Sequence, residues 1–205
     1  MKLFRKYMPV LVATLLFCAA ASVAVAATQK SATDSLRMAV DSVIELLADE
    51  EIDRAKRRQL VVEKIRATFD FTAMSRFIVG KHWKRATQEQ RDTFVERFTI
   101  ILEHTYIGRI EAYSDEKVRY VAEKRRGDKA KVDTLVVGGN IEIPINYKLY
   151  LKGGKWYVYD ISVEGVSLVR NYKDTYKGII RKDGVEGLLE KMAKKVEEMV
   201  AGEKS

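Results

Sequence analysis

The hydrophobic period of this chain changes twice, and those changes constrain its fold more than any other feature. Up to about residue 113 the apolar side chains recur every three or four positions, as on one helix face. Over residues 117–122, 131–137, 141–151 and 155–163 they alternate, as in half-buried strands, and beyond residue 167 the helical spacing returns. Between the alternating segments stand Arg125-Arg126-Gly127-Asp128, Gly138-Gly139-Asn140 and Lys152-Gly153-Gly154-Lys155, all turn-forming. Short turns join antiparallel neighbours, so the four strands predict a meander sheet. Helices, then a sheet, then helices make a single α+β domain. Pro144 cannot donate to a strand ladder and is expected at an edge or a bulge.

The helical parts carry their own punctuation. Leu36, Val40, Val43 and Leu47 share a face after Asp34, the expected N-cap, and Asp49-Glu50-Glu51 marks a break. A second helix runs through Leu60, Val61, Ile65 and Thr68, and a short apolar piece from Phe69 to Gly80 starts at Asp70. Thr87-Gln88-Glu89-Gln90 is a capping-box pattern that opens a long helix. That helix carries Phe94, Phe98, Ile101, Leu102, Thr105, Tyr106, Ile110 and Tyr113 on one stripe. After the sheet, Leu168, Val169, Tyr172, Tyr176, Ile179 and Ile180 share a face. A last helix follows Asp183-Gly184 with Leu188, Met192, Val196 and Met199.

Residues 1–26 read as an export leader. Lys2, Arg5 and Lys6 precede an uncharged apolar run over 9–21, and Ala24-Val25-Ala26 supplies the small residues of a cleavage site. The run is too short for a stable span. Phe17 stands before Cys18, where a lipid-anchored protein needs a small residue, so an uncleaved anchor is the lesser alternative. The chain thus divides into a leader, 1–26, and one exported domain, 27–205. Without its leader it keeps 179 residues, enough for a substantial core, and no cysteine, so packing alone must stabilise it. Formal charge falls from +8 to +5, a mildly basic surface suited to anionic headgroups or acidic partner patches. It would also suit nucleic acid, against which export argues.

A catalytic constellation cannot be assembled. His82 and His104 are the two histidines, and there is no HExxH, paired-cysteine, G-x-S-x-G or Walker-type pattern. The expectation is no enzyme, no metal and no cofactor. The apolar residues are more informative. Ile143, Ile145, Tyr147, Leu149 and Leu151 alternate on one strand face, Tyr157, Tyr159, Ile161 and Val163 on the next, and Val132, Thr134 and Val136 extend the layer. Opposite are expected the long helix and Phe69, Phe71, Met74, Phe77 and Ile78. Periodicity alone favours an ordinary core; the alternative is a gap wide enough for hydrocarbon. Nine tyrosines after the leader, each needing a phenol partner when buried, suit a cavity mouth better than a dry core.

From Phe69 onward the sequence resembles the MlaC family, also called toluene-tolerance auxiliary components. The resemblance is carried by residues 69–76 (FDFTAMSR), Trp83 with Ala86-Thr87-Gln88-Glu89-Gln90-Arg91, and Thr105-Tyr106. It continues through residues 156–169 (WYVYDISVEGVSLV), Asn171-Tyr172, and Gly184, Gly187 and Leu188. Before Phe69 only the helical character agrees, and Gln88 stands where a proline is usual, which touches only the first helical turn. The resemblance implies a monomeric periplasmic carrier that holds phospholipid as cargo in an apolar cavity between sheet and helices. Such a carrier exchanges lipid with an inner-membrane ABC lipid-transport complex and an outer-membrane lipoprotein/porin complex, and so maintains outer-membrane asymmetry. Hopanoid-type cargo, or a scaffold that binds no lipid, are the alternatives.

On the cavity reading the tails meet Phe71, Met74, Ile78, Phe94, Phe98, Ile101, Leu102 and Tyr106 from the helices. From the sheet they meet Ile145, Tyr147, Leu149, Tyr159 and Ile161, and from the final helix Leu168, Val169 and Tyr172. Lys81, Lys84, Arg85 and Arg170 are candidates for the headgroup or for docking. Each basic cluster, Lys124, Arg125, Arg126 and Lys129 included, is also readable as a solvated face.

Overall fold

The computed structural model describes residues 30–112, 116–138 and 141–202. The leader and Tyr113 lie outside these residues. Helix α1, Ala32–Ala48, is capped by Ser31, whose hydroxyl oxygen accepts from Asp34 N at 2.9 Å and whose O–H donates to the Asp34 carboxylate at 2.7 Å. The cap is therefore three residues earlier than Asp34, in a Ser-x-x-Asp pattern that ties both ends of the first turn. Helix α2, Arg54–Thr68, starts at Asp53 after the acidic break. Helix α3, Phe71–Val79, is capped by Asp70 and closed by Gly80, whose φ of 63° a side chain would resist. A 3₁₀ turn, Gly80–Lys84, leads to α4, Gln88–Glu111. Both halves of the Thr87/Gln90 capping box form, and Gln88, at the position where proline is usual, donates to Asp92 at 2.8 Å.

The sheet has order β1-β2-β3-β4-β5, all antiparallel, with β1 Lys117–Arg126, β2 Lys129–Gly138, β3 Ile141–Lys152, β4 Lys155–Val163 and β5 Val166–Ser167. The expected four-strand meander is present. The fifth strand is two residues long, too short to show a period, and pairs Val166 with Val163. Pro144 lies in a central strand opposite Leu135, but at the level where β4 has ended; its carbonyl accepts from Glu164 N at 2.9 Å.

A bulge in β4 matters most for the site. Leu149 faces Val158 whereas Lys148 faces Asp160, so Tyr159 is the extra residue and the strand changes face around it. Trp156 and Val158 are inward at the start of β4, Ile161 and Val163 at its end. The single alternating face expected through Tyr157, Tyr159, Ile161 and Val163 is thus broken: Tyr157 and Tyr159 both lie against Tyr150, on the other side. Helix α5, Leu168–Gly202, is one run bent at Gly184 (φ 72°, ψ −172°), which matches the stop expected at Asp183-Gly184.

Two apolar clusters result. One joins α3, α4 and α5 through Met74, Ile78, Phe94, Phe98, Ile101, Leu102, Val169, Tyr176 and Ile180. Phe94 stacks on Phe98 one turn away, and Tyr176 and Tyr172 meet these two rings edge-on at 6.2 and 5.1 Å. Each such pair contributes about 0.5–1.5 kcal/mol beyond burial. The other cluster joins α1 to the sheet through Ala32, Leu36, Ala130, Val132, Leu149, Trp156 and Val158. Phe69 packs against both, held to the β4 edge by Asp70 N, which donates to Val158 O at 2.8 Å.

Candidate lipid site

Among the described residues, α4 packs chiefly on α5, α3 and α2, and its buried stripe belongs to a different apolar cluster from the inner strand face. The helix stripe and the strand face therefore do not interlock into one core. Between them α2 forms a wall. Arg58 grips Glu111 of α4 through two bonds of 2.7 Å and Arg66 grips Glu103, while α2 also leans on α1. Arg58 holds the Glu111 carboxyl below its ordinary range.

The sheet face beneath that wall is divided. Ala130, Val132, Leu149, Trp156 and Val158 are buried under α1, and the Trp156 indole donates to Lys30 O at 3.0 Å. Further along the same face, Val136 pairs with Ile143, Thr134 with Ile145, and Tyr147 with both Val132 and Ile161. Of these Val136, Ile143, Ile145, Tyr147 and Ile161 are only half-buried, and Val163, beside Ile145, is 40% exposed.

Tyr147 shows what kind of half-burial this is. Its phenol is pushed up to about 12 by burial alone, so protein surrounds it. Yet Tyr147 packs on the edge of the sheet cluster with part of its surface left accessible. Tyr172 behaves alike: half-buried, raised by burial, facing Tyr106 and the Thr105 hydroxyl.

The expected lipid residues separate accordingly. Met74, Ile78, Phe94, Phe98, Ile101, Leu102 and Val169 are buried in the helical cluster, and Leu149 in the sheet cluster. Their surfaces are covered by protein. Phe71, Tyr106, Leu168 and Tyr172 fringe the helical cluster, and Tyr147 the other; Ile145 and Ile161 belong to neither. These seven have surface free for a ligand. Tyr159 is carried by the bulge to the Tyr150 side.

Lys81, Lys84 and Arg85 are exposed on and just after the 3₁₀ turn, beside Trp83, whose carbonyl accepts from Arg91 at 2.9 Å. The first turns of α5 are near them: Lys173 approaches Gly80 and lies over the Phe77 ring at 4.7 Å. Arg170 is exposed one turn earlier, beside a hollow of about 310 Å³ shared with Lys148 and Asn171.

A groove of about 560 Å³ was missed by the sequence reading. It lies where α3 and α4 approach the β3–β4 hairpin, on the side of Tyr150 and Tyr157, and of the residues expected to meet the tails only Phe71 lines it. Asp70, Arg66, Glu96 and Lys152 line it beside Val95 and Ile100, so it is half polar and unlike a hydrocarbon site. The Asp70 carboxylate accepts from the Tyr150 hydroxyl and from Ala73 N; burial and that carboxylate push the phenol up to about 12. Eighty residues separate Asp70 from Tyr150, so no local spacing could have paired them.

The family model described as MlaC protein matches residues 37–194. The chain belongs to the MlaC family. The intermembrane phospholipid transport system binding protein MlaC of Haemophilus influenzae is 30% identical over 121 residues, 56% of each chain. Toluene tolerance protein ttg2D of Pseudomonas putida is 27% identical over 106 residues, 51% of this chain and 49% of that one. The chain thus matches about half the length of these relatives. A phospholipid-binding protein from Ralstonia solanacearum, solved in complex with a phospholipid, superposes with a TM-score of 0.76 at 24% identity, over 83% of this chain and 99% of that one. At that identity the likeness shows a shared fold.

Proposed function

We propose that this MlaC-family chain is a periplasmic phospholipid carrier whose acyl cargo lies against the half-buried sheet face at Ile145, Tyr147 and Ile161. The observation that carries the reading is Tyr147, deep in the protein and still incompletely covered. Two acyl chains hold about 30 methylenes, and leaving them in water costs on the order of 25 kcal/mol at roughly 0.8 kcal/mol each. A carrier must enclose the tails, whereas the headgroup can stay wet. Tyr106, Leu168 and Tyr172, at the fringe of the helical cluster, are the candidate helical contacts of the cargo, and Lys81, Lys84, Arg85 and Arg170 are exposed cations available to a phosphate. Export through a leader cleaved after Ala26 delivers the domain 27–205 to the periplasm. There it receives and releases lipid at an inner-membrane ABC transport complex and an outer-membrane lipoprotein complex. No group transfer is part of this reading.

Lipid extracted from the purified protein and weighed by mass spectrometry tests it. Glycerophospholipid masses support the proposal, and polycyclic hopanoid masses would replace the cargo. A delipidated protein that gains no thermal stability from added phospholipid would instead be a scaffold.

A further inference from the structure

The meander brings two basic turns to one end of the sheet. In an antiparallel order β1-β2-β3-β4, the β1–β2 and β3–β4 turns point the same way, and β2 and β3 are neighbours. Lys129 stands opposite Tyr150, and Leu151 N donates to Asp128 O at 2.7 Å, which locks the two tips side by side. Together they present Lys124, Arg125, Arg126, Lys129, Lys152 and Lys155, all exposed, against the single acid Asp128. Among the described residues the sheet has ion pairs at Lys131–Asp133, Lys148–Asp160 and Arg119–Glu142. Arg125 is held over Trp156 at 5.0 Å and Lys155 over Tyr157 at 5.0 Å, so two of the cations are positioned by rings beneath them. The opposite end carries Glu116, Glu142 and Glu164 among its cations.

We infer that this double-hairpin end is a docking surface for an anionic phospholipid bilayer. Protein interfaces have an apolar, charge-depleted centre and are poor in lysine. The tips offer none: the exposed large apolar side chains Met38, Phe77, Val121, Val163, Val166 and Val200 all lie away from them. What the tips offer is a cluster of cations on glycine-containing turns, which a field of phosphate headgroups attracts over about one Debye length. Contact of this kind is reversible and salt-sensitive. It leaves Ile145 and Ile161, towards the other end of the sheet, uncovered. The inference does not depend on what the interior carries.

The test uses the full exported domain and vesicles of phosphatidylcholine with or without about a third phosphatidylglycerol. Cosedimentation at low salt should be at least about tenfold stronger on the anionic vesicles and vanish near about 0.5 M salt. The variant Lys124→Glu, Arg126→Glu, Lys152→Glu, Lys155→Glu should lose about tenfold or more of that binding while retaining its thermal midpoint and cargo. A second variant reversing Lys177, Arg181, Lys182 and Lys194 on α5 makes the same change in net charge at exposed positions. It should bind nearly as the unaltered chain does; Gln replacements at each set repeat the comparison if a Glu variant fails to fold. Equal losses in both variants would mean that only net charge matters. That result, or no preference for anionic vesicles, overturns the inference.

Discussion

On the sheet face that α1 crosses, Ala130, Val132, Leu149, Trp156 and Val158 are buried, whereas Ile143, Ile145, Tyr147 and Ile161 on the same face keep part of their surface. The two halves have the same alternation, the same strands and much the same apolar side chains. They differ in what stands above them. Ala32 and Leu36 descend onto the first half, and the long α4 stripe packs chiefly on α3 and α5. A strand pattern specifies which side is apolar, and the distant helices decide whether that side becomes fully buried or stays partly open.

Charges and truncations break the comparison in a definite order. Val132→Asp buries an unpaired carboxylate under α1 and should destabilise by about 4 kcal/mol or more, so that denaturant unfolding finds little native protein. Trp156→Ala removes a buried indole, its bond to Lys30 O and the seat of Arg125, and is expected to cost about 3–5 kcal/mol by the same measurement. In the other half Ile145→Asp should cost less than about 1.5 kcal/mol, because the new carboxylate borders space, while retained lipid is lost. Equal destabilisation by Val132→Asp and Ile145→Asp would make both halves plain core.

Smaller effects sharpen the picture. The phenols of Tyr147 and Tyr150, pushed up to about 12, stay neutral in the folded chain after exposed tyrosines have ionised. Their stabilisation is complete below the ordinary phenol value near 10 and is lost as pH climbs from about 10 to about 12, because the unfolded chain ionises first. Phenolate absorbance of Tyr147→Phe and Tyr150→Phe should each lack one late-titrating group; for Tyr147, an early one would mean that its surroundings are wet. Arg58→Ala should lower stability by only about 0.5–1 kcal/mol, since the pair with Glu111 is partly exposed, and should raise the Glu111 carboxyl toward its ordinary range.

Much of the fold was legible in the sequence. The meander follows from four alternating runs and their turns; the long helix follows from Thr87, Gln90 and the stripe from Phe94 to Ile110; the last bend follows from Gly184. The misses have physical causes. Ser31 caps α1 because its hydroxyl reaches Asp34 N, whereas Asp34 was the more obvious acid. The extra residue at Tyr159 interrupts alternation without changing composition, so alternation groups Tyr157 and Tyr159 with Ile161 although they lie on the other side. Of the expected cargo residues, Phe94, Phe98 and Leu149 are buried in the two apolar clusters, because amphipathic spacing identifies an inner face and not what packs against it. The groove at Asp70 and Tyr150 depends on a contact between distant segments, which no local pattern encodes.

Native mass spectrometry of the purified domain and of Ile145→Asp tests the open half most directly. The unaltered chain should carry an added mass equal to a glycerophospholipid, and the variant, equally folded, should fly as polypeptide alone. A variant that still holds its lipid would contradict the assignment of this face, and an unaltered chain that binds none would remove the cargo itself.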